Sequence, residues 1–244
     1  MDLLFAGMLP RTTQFVFCQC SPNQAAEIAT NTILQDRCPR WYKERMWRIT
    51  ASRFGEIVLA TERRDFKKLC QSLYDSCNLK TDAVIHGHAY EGQALEAFAV
   101  VTGFNVMPAG LYVHSEHSFL AATPDTVGTE DYLVEVKCPF AGREEYIRPG
   151  PFFPCLGYTD LSKTTFKLKT NYKWYFQVQG QLACARRNAC FFVLYTFVDI
   201  YIEKIGYDSE LFSQVMLPKL SNFYVNHWRP FIADKIARRG SLAI

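Results

Sequence analysis

Residues 132–137 read Tyr-Leu-Val-Glu-Val-Lys, a β-branched and aromatic run that follows a polar segment and is closed by Pro139. That composition predicts a strand of about six residues. Strand alternation places Glu135 and Lys137 on one face and Val134 and Val136 on the other. Two further runs, 110–114 and 118–122, read as strands joined by a turn at 114–117. The three are expected to form an antiparallel meander, with Asp125, just after Pro124, brought beside Glu135.

Elsewhere the apolar spacing is helical. Residues 22–35 carry an Ala/Ile face, and 50–60 and 65–77 show similar periodicity, the former capped by Thr50 or Ser52. Residues 88–102 place Tyr90, Ala94, Leu95, Phe98 and Val101 at helical spacing and stop at Gly103. An aromatic and Pro-rich loop is expected at 148–158 and a helix at 171–187. A hairpin of 191–197 with 201–205 follows, then a long helix over 209–239 kinked at Pro218. The order of elements implies an α/β chain of the α+β type, a central mixed sheet flanked by helices.

With 244 residues and 49% hydrophobic content, the chain has enough apolar surface for one sizeable core. The expected organisation is a lead-in at 1–40 followed by a single domain at 41–244. The first ten residues are apolar but short and carry Asp2, so they read as a packing arm rather than a targeting signal. No stretch approaches a membrane span. The nine cysteines are odd in number and scattered, which suits reduced thiols in an intracellular protein of the nucleus or cytoplasm rather than a secreted one. Cys18-x-Cys20 and Cys184-x5-Cys190 lack the spacing of a zinc knuckle.

A net charge of +3 is modest, but it is unevenly spread. Residues 40–68 hold nine Lys/Arg against four acids, and Lys163, Lys167, Lys169 and Lys173 form an acid-free run. Such clusters are compatible with solvated faces and with a phosphate backbone alike. The chemistry at 125–137 is more specific. Two neighbouring carboxylates repel unless a cation lies between them, and hard divalent ions prefer oxygen ligands. Lys137, two residues along the same face as Glu135, would orient water against a bound phosphate. The same residues also fit an ordinary solvated Glu/Lys pair. Glu91 falls on the Leu95/Phe98 side of its helix, and Gln177 and Gln181 lie one turn apart beside Trp174 and Val178.

Taken in order, Trp41, Arg45 and Ser52 (W-x3-R-x6-S), Gly87 to Glu91 (G-x3-E), the Thr123-Pro124-Asp125 triplet, EVKCPF from Glu135 with Arg143 six beyond Lys137, and QVQ from Gln177 resemble the lambda-exonuclease/YqaJ-type viral recombinases of the PD-(D/E)xK nucleases. The resemblance spans about 41–196. It implies a restriction-endonuclease-like core and a metal-dependent 5′-to-3′ exonuclease acting on duplex DNA ends in recombination, repair or the processing of viral DNA. Asp125, Glu135 and the Val136 carbonyl would bind magnesium or manganese, with Glu91 serving a second ion. Lys137 would activate water, and Gln177 would hold the lysine or the scissile phosphate. Arg45, Ser52 and Arg143 would receive the terminal 5′-phosphate. A single-strand annealing protein is an implied partner. The family's ring-shaped trimer depends on surfaces that this chain does not match. The alternatives are a structure- or site-specific endonuclease of the same superfamily and a catalytically silent DNA-binding module.

Overall fold

The computed structural model describes residues 19–75, 81–129 and 131–240. Residues 1–18 of the expected lead-in, the end of the helix expected at 65–77, and with them Cys18 and Cys77 lie outside this set.

In chain order the elements are α1 (Pro22–Asn31), α2 (Pro39–Trp47), β1 (Ile49–Thr50), α3 (Phe54–Val58), α4 (Phe66–Asp75), α5 (Asp82–Thr102), β2 (Val106–Pro108), β3 (Tyr112–Val113), β4 (Leu120–Ala122), β5 (Thr126–Gly128) and β6 (Tyr132–Lys137). After these come β7 (Leu156–Tyr158), β8 (Phe166–Leu168), α6 (Lys173–Ala185), β9 (Ala189–Tyr195), β10 (Ile200–Gly206), α7 (Leu217–Phe223) and α8 (Arg229–Gly240). No helix among the described residues is long and apolar enough to cross a membrane.

The main sheet has the order β10-β9-β6-β5-β2, with β6 and β9 parallel at its centre and the other pairings antiparallel. Its two faces follow from alternation along β6. Val134 and Val136 pack with Ala94 and Phe98 of α5, whereas Leu133 packs with Val178 and Leu182 of α6. Glu135 and Lys137 share the Leu133 parity, so β6 directs them toward α6.

The expected three-stranded meander does not form. β3 and β4 pair antiparallel in a separate small sheet, where β4 also pairs parallel with β1, while β6 takes β5 and β9 as neighbours. Pro124 explains the break: it has no N–H to continue a ladder, so the chain leaves the small sheet after β4 and enters the main sheet at β5. Asp125 lies at that crossing.

Helix α5 begins six residues earlier than its apolar spacing predicts, because Thr81 caps it by accepting from the Val84 N–H. It ends as expected at Gly103, which adopts φ 72°. The segment expected as a helix over 50–60 is instead β1, a 3-10 turn and the short α3. The irregularity expected at Pro218 takes the form of π-helical stretches on both sides of α7; Pro218 follows the first of them within a continuous helical run, where its missing N–H removes one backbone donor. The aromatic loop after β6 is partly core. Phe153 and Cys155 are buried against the main sheet, and β7 pairs with β8.

Helix α1 sits close to the chain that leads into β3. A Cβ on Gly110 would lie 1.9 Å from the Ala29 carbonyl oxygen, so only glycine permits the approach. Buried Thr32 uses its hydroxyl to accept from the Leu111 N–H at 2.8 Å and to donate to the Ile28 carbonyl at 2.6 Å. Part of the expected lead-in is thereby tied to the small sheet.

Candidate active site

A cleft of about 620 Å³ opens where the C-terminal end of β6, the crossing before β5, helix α5 and the turn after β1 meet. It is lined by Glu91, Asp125, Glu135, Val136, Lys137 and Gln177, and also by Arg45 and Ser52. Arg143 is not among the lining residues. Its guanidinium lies 4.5 Å from the ring centre of Phe140, which does line the cleft.

Glu135 is 1% exposed, and each of its oxygens has a donor. Lys137 Nζ and Gln177 Nε2 donate to Oε1, and Gln181 Nε2 donates to Oε2. The two amides stand one helical turn apart on α6, so both reach the same strand position. A buried carboxylate with three donors is sustainable where an unpaired one is not. Gln181 is the functional candidate that residue types alone did not single out. Its signal was the i, i+4 amide pair on a helix that packs against the charged strand face.

Asp125 is held differently. Its Oδ2 accepts from the Val136 N–H at 2.6 Å. The turn that carries it is braced from outside the main sheet: Trp41 Nε1 donates to Thr123 Oγ1 at 3.0 Å, and Gln35 Nε2 donates to the Pro124 carbonyl at 3.2 Å and the Ala109 carbonyl at 2.9 Å. Gln35 adopts φ 46°, a left-handed conformation uncommon for a residue with a Cβ.

The electrostatics are those of crowded acids. Burial, then the Glu135 and Glu91 carboxylates, push the Asp125 carboxyl well above the usual range. Burial and then Glu135 raise that of Glu91. Burial would depress Lys137, but Glu135, Asp125 and Glu91 together outweigh it and hold the ammonium more firmly than usual. Beside the site, burial and then Glu91 and Asp125 push the Cys138 thiol up to about 12, which rules it out as a thiolate nucleophile near neutral pH.

Among the described residues no three His, Cys, Asp or Glu side chains converge into a ready-made metal cage. The donor set nevertheless fits a hard divalent cation. It is all oxygen, and the mutual repulsion that raises Asp125 and Glu91 is relieved by a positive charge between them.

Elsewhere in the cleft lining, the Arg45 guanidinium carbon lies 4.1 Å from the Trp41 ring centre, and Ser52 Oγ is 3.3 Å from Thr50 Oγ1. Several of the nine basic residues in 40–68 are paired within the fold: Arg40 with Glu27, Arg48 with Glu44 and Arg53 with Glu56. Arg48 is buried and also donates to the Ser118 carbonyl. These pairs tie part of the basic cluster into the fold, and Glu27, outside 40–68, offsets one charge of its excess.

A family model for the YqaJ-like viral recombinase domain matches residues 40–188. No curated protein matches the chain. Among solved structures, the alkaline exonuclease LHK-Exo of Laribacter hongkongensis is similar, with a TM-score of 0.61 and 22% identity over 84% of this chain and 98% of that one. Its complex with dAMP gives 0.61 and 23% over the same shares. A SOX–DNA complex gives 0.52 and 11% identity, covering 86% of this chain and 72% of that one. Identities this low establish the fold, which is the mixed α+β PD-(D/E)xK-type core.

Proposed function

Because the chain belongs to the YqaJ-like viral recombinase domain family, we propose that it is a metal-dependent DNA exonuclease that digests one strand of linear duplex DNA from a 5′-phosphorylated end. The observation that carries this reading is the convergence of Glu91, Asp125, Glu135, Lys137 and Gln177 in one cleft that Arg45 and Ser52 also line. A family match alone would leave open whether the site is intact. The alkaline exonuclease activity named for LHK-Exo agrees with it.

Asp125 and Glu135, with the Val136 carbonyl, would hold a divalent cation, and Glu91 a second. Bound there, such ions supply charge stabilisation at the attacking and leaving oxygens of a phosphodiester. The chain's own residues do the rest. Gln177 and Gln181 fix the plane of the Glu135 carboxylate. The Val136 N–H and the Gln35/Trp41 brace fix Asp125. Lys137 Nζ, anchored on Glu135, donates toward the attacking water and steadies it against the phosphorus. Arg45 and Ser52 receive the terminal phosphate, whose extra negative charge near neutral pH separates an end from an internal linkage.

Digestion of linear duplexes bearing 5′-phosphate, 5′-hydroxyl or blocked ends, beside a closed circle, tests this with magnesium and with chelator. Loss of phosphorylated ends alone, with magnesium only, is expected. Nicking of the closed circle would overturn the exonuclease reading in favour of an endonuclease.

A further inference from the structure

At the rim of the cleft, on the side of α5, the structure carries an aromatic cluster that the carboxylate chemistry does not use. Phe140 lines the cleft three residues beyond Lys137 and is 38% exposed, and Phe197, in the turn between β9 and β10, is 43% exposed. The His86 ring lies between them, 5.5 Å from Phe140 and 5.7 Å from Phe197. Tyr90 lies 4.6 Å from His86 and 4.8 Å from Phe197.

Arg143 closes the group. Its guanidinium stacks on Phe140 and donates to the Phe140 carbonyl at 2.9 Å, with exposed Glu144 3.4 Å away. Its own carbonyl accepts from the Phe197 N–H at 2.8 Å. The loop after β6 and the β9–β10 turn are thus bound into one block against α5, and the block abuts the acid site, since Phe140 lines the same cleft as Glu91 and Lys137.

We infer that this rim is a base-stacking platform for the unpaired nucleotides of a single strand that enters or leaves the cleft. The inference rests on the DNA-nuclease reading and names a further contact for that substrate. Two phenyl rings left partly open beside a cleft are surface that a Phe ordinarily buries. Flat π faces joined to a guanidinium are the chemistry that holds successive bases of a single strand, with the cation near the backbone phosphates. Burial and then Arg143 hold the His86 imidazole below its ordinary pKa, so near neutral pH it stands as a neutral ring within the cluster. Continuity with the cleft selects the occupant: a strand whose phosphate reaches Lys137 has its adjoining bases at Phe140.

The test is fluorescence anisotropy in chelator, where no strand is cut, using a labelled single strand of mixed sequence and a strand of equal length whose sugars lack bases. The wild type is expected to bind the base-bearing strand roughly five- to a hundredfold more tightly, the range for one stacked base. Phe140→Leu/Phe197→Leu keeps apolar side chains without a π face and should bind both strands alike. Phe140→Trp should retain the preference. Equal wild-type affinity for the two strands, or a full preference in the double Leu variant, overturns the platform. Because binding is read without cleavage, the two ideas fail separately. A protein that prefers bases but degrades no DNA with magnesium keeps the platform and loses the exonuclease. One that degrades linear duplex without any base preference does the reverse.

Discussion

Asp125→Asn removes a charge that the fold holds against its neighbours, and it leaves the shape of the side chain and an oxygen to accept from Val136. Two magnitudes compete. The bond from the Val136 N–H falls from a charged to a neutral acceptor, a loss of about 1 kcal/mol. Against that, an uncompensated charge in a dry interior costs about 3–5 kcal/mol, and because Asp125 opens on the cleft, solvent screening reduces this to about 2–3 kcal/mol. In chelator the variant should therefore be more stable than the wild type by about 1–2 kcal/mol at pH 8, or roughly 2–8 °C in Tm for a chain of this size. The pH dependence gives a second check. Asp125 has a raised folded-state pKa, so the native protein binds the proton more tightly than the unfolded chain does. The associated stability is fully present below the ordinary aspartate value of about 3.9 and is lost as pH rises from there through the folded pKa, by at most about 1.4 kcal/mol per pH unit. Asn has no such dependence, so the gap between the two proteins should be small in acid and widen toward pH 8. Magnesium should narrow it by stabilising the wild type, and the variant should not cleave DNA. Urea unfolding at pH 4 and pH 8, with and without the cation, measures the gap, and a digestion assay with magnesium measures the loss of cleavage. A variant that is no more stable than the wild type at pH 8 in chelator, or a gap independent of pH, refutes the charge argument.

Three further outcomes are expected. Gln181→Leu removes a charged hydrogen bond to Glu135, about 1.5–3 kcal/mol, and also a buried Oε1 that has no partner, about 1–3 kcal/mol. Urea unfolding should therefore shift by less than about 1 kcal/mol while the cleavage rate falls roughly tenfold, and a large loss of stability would show that the amide serves the core instead. His114 is depressed to about 4 by burial and then by His117, so native stability should be lost as pH falls from 6.5 toward 4, by up to about 3 kcal/mol. His114→Asn, which keeps an acceptor for the Glu116 and His117 N–H groups, should flatten that fall in pH-dependent unfolding, and an unchanged slope would assign it to other groups. Arg45→Ala should lose roughly ten- to a hundredfold of the preference for 5′-phosphorylated over 5′-hydroxyl ends in initial digestion rates, the equivalent of one charged hydrogen bond; a retained preference would place the phosphate receptor elsewhere.

What the amino-acid sequence determined by itself is what depends on near neighbours. The strand at Tyr132–Lys137, with Glu135 and Lys137 on one face, follows from β-branched alternation. The stop at Gly103 follows from a backbone conformation that glycine adopts freely. Helix α6 followed from its spacing to within two residues at each end. Tertiary structure decided everything that required a partner distant in the chain. Strands of two or three residues such as β1 and β5 have too few side chains to show a period, and the division of β4 and β5 between two sheets was set by the chain crossing at Pro124 and by pairings from remote segments. Gln181 read as an amide at a core boundary until α6 was laid across β6, 46 residues away, where it became a donor to Glu135. Gln35 and Trp41 came to brace Asp125 because α1 and α2 lie against the small sheet. Arg143, at the spacing expected of a phosphate receptor, was drawn onto the Phe140 ring, because the loop that carries it is tied to the β9–β10 turn. Local sequence sets which backbone conformations are available, whereas the identity of the group opposite a side chain is a property of packing.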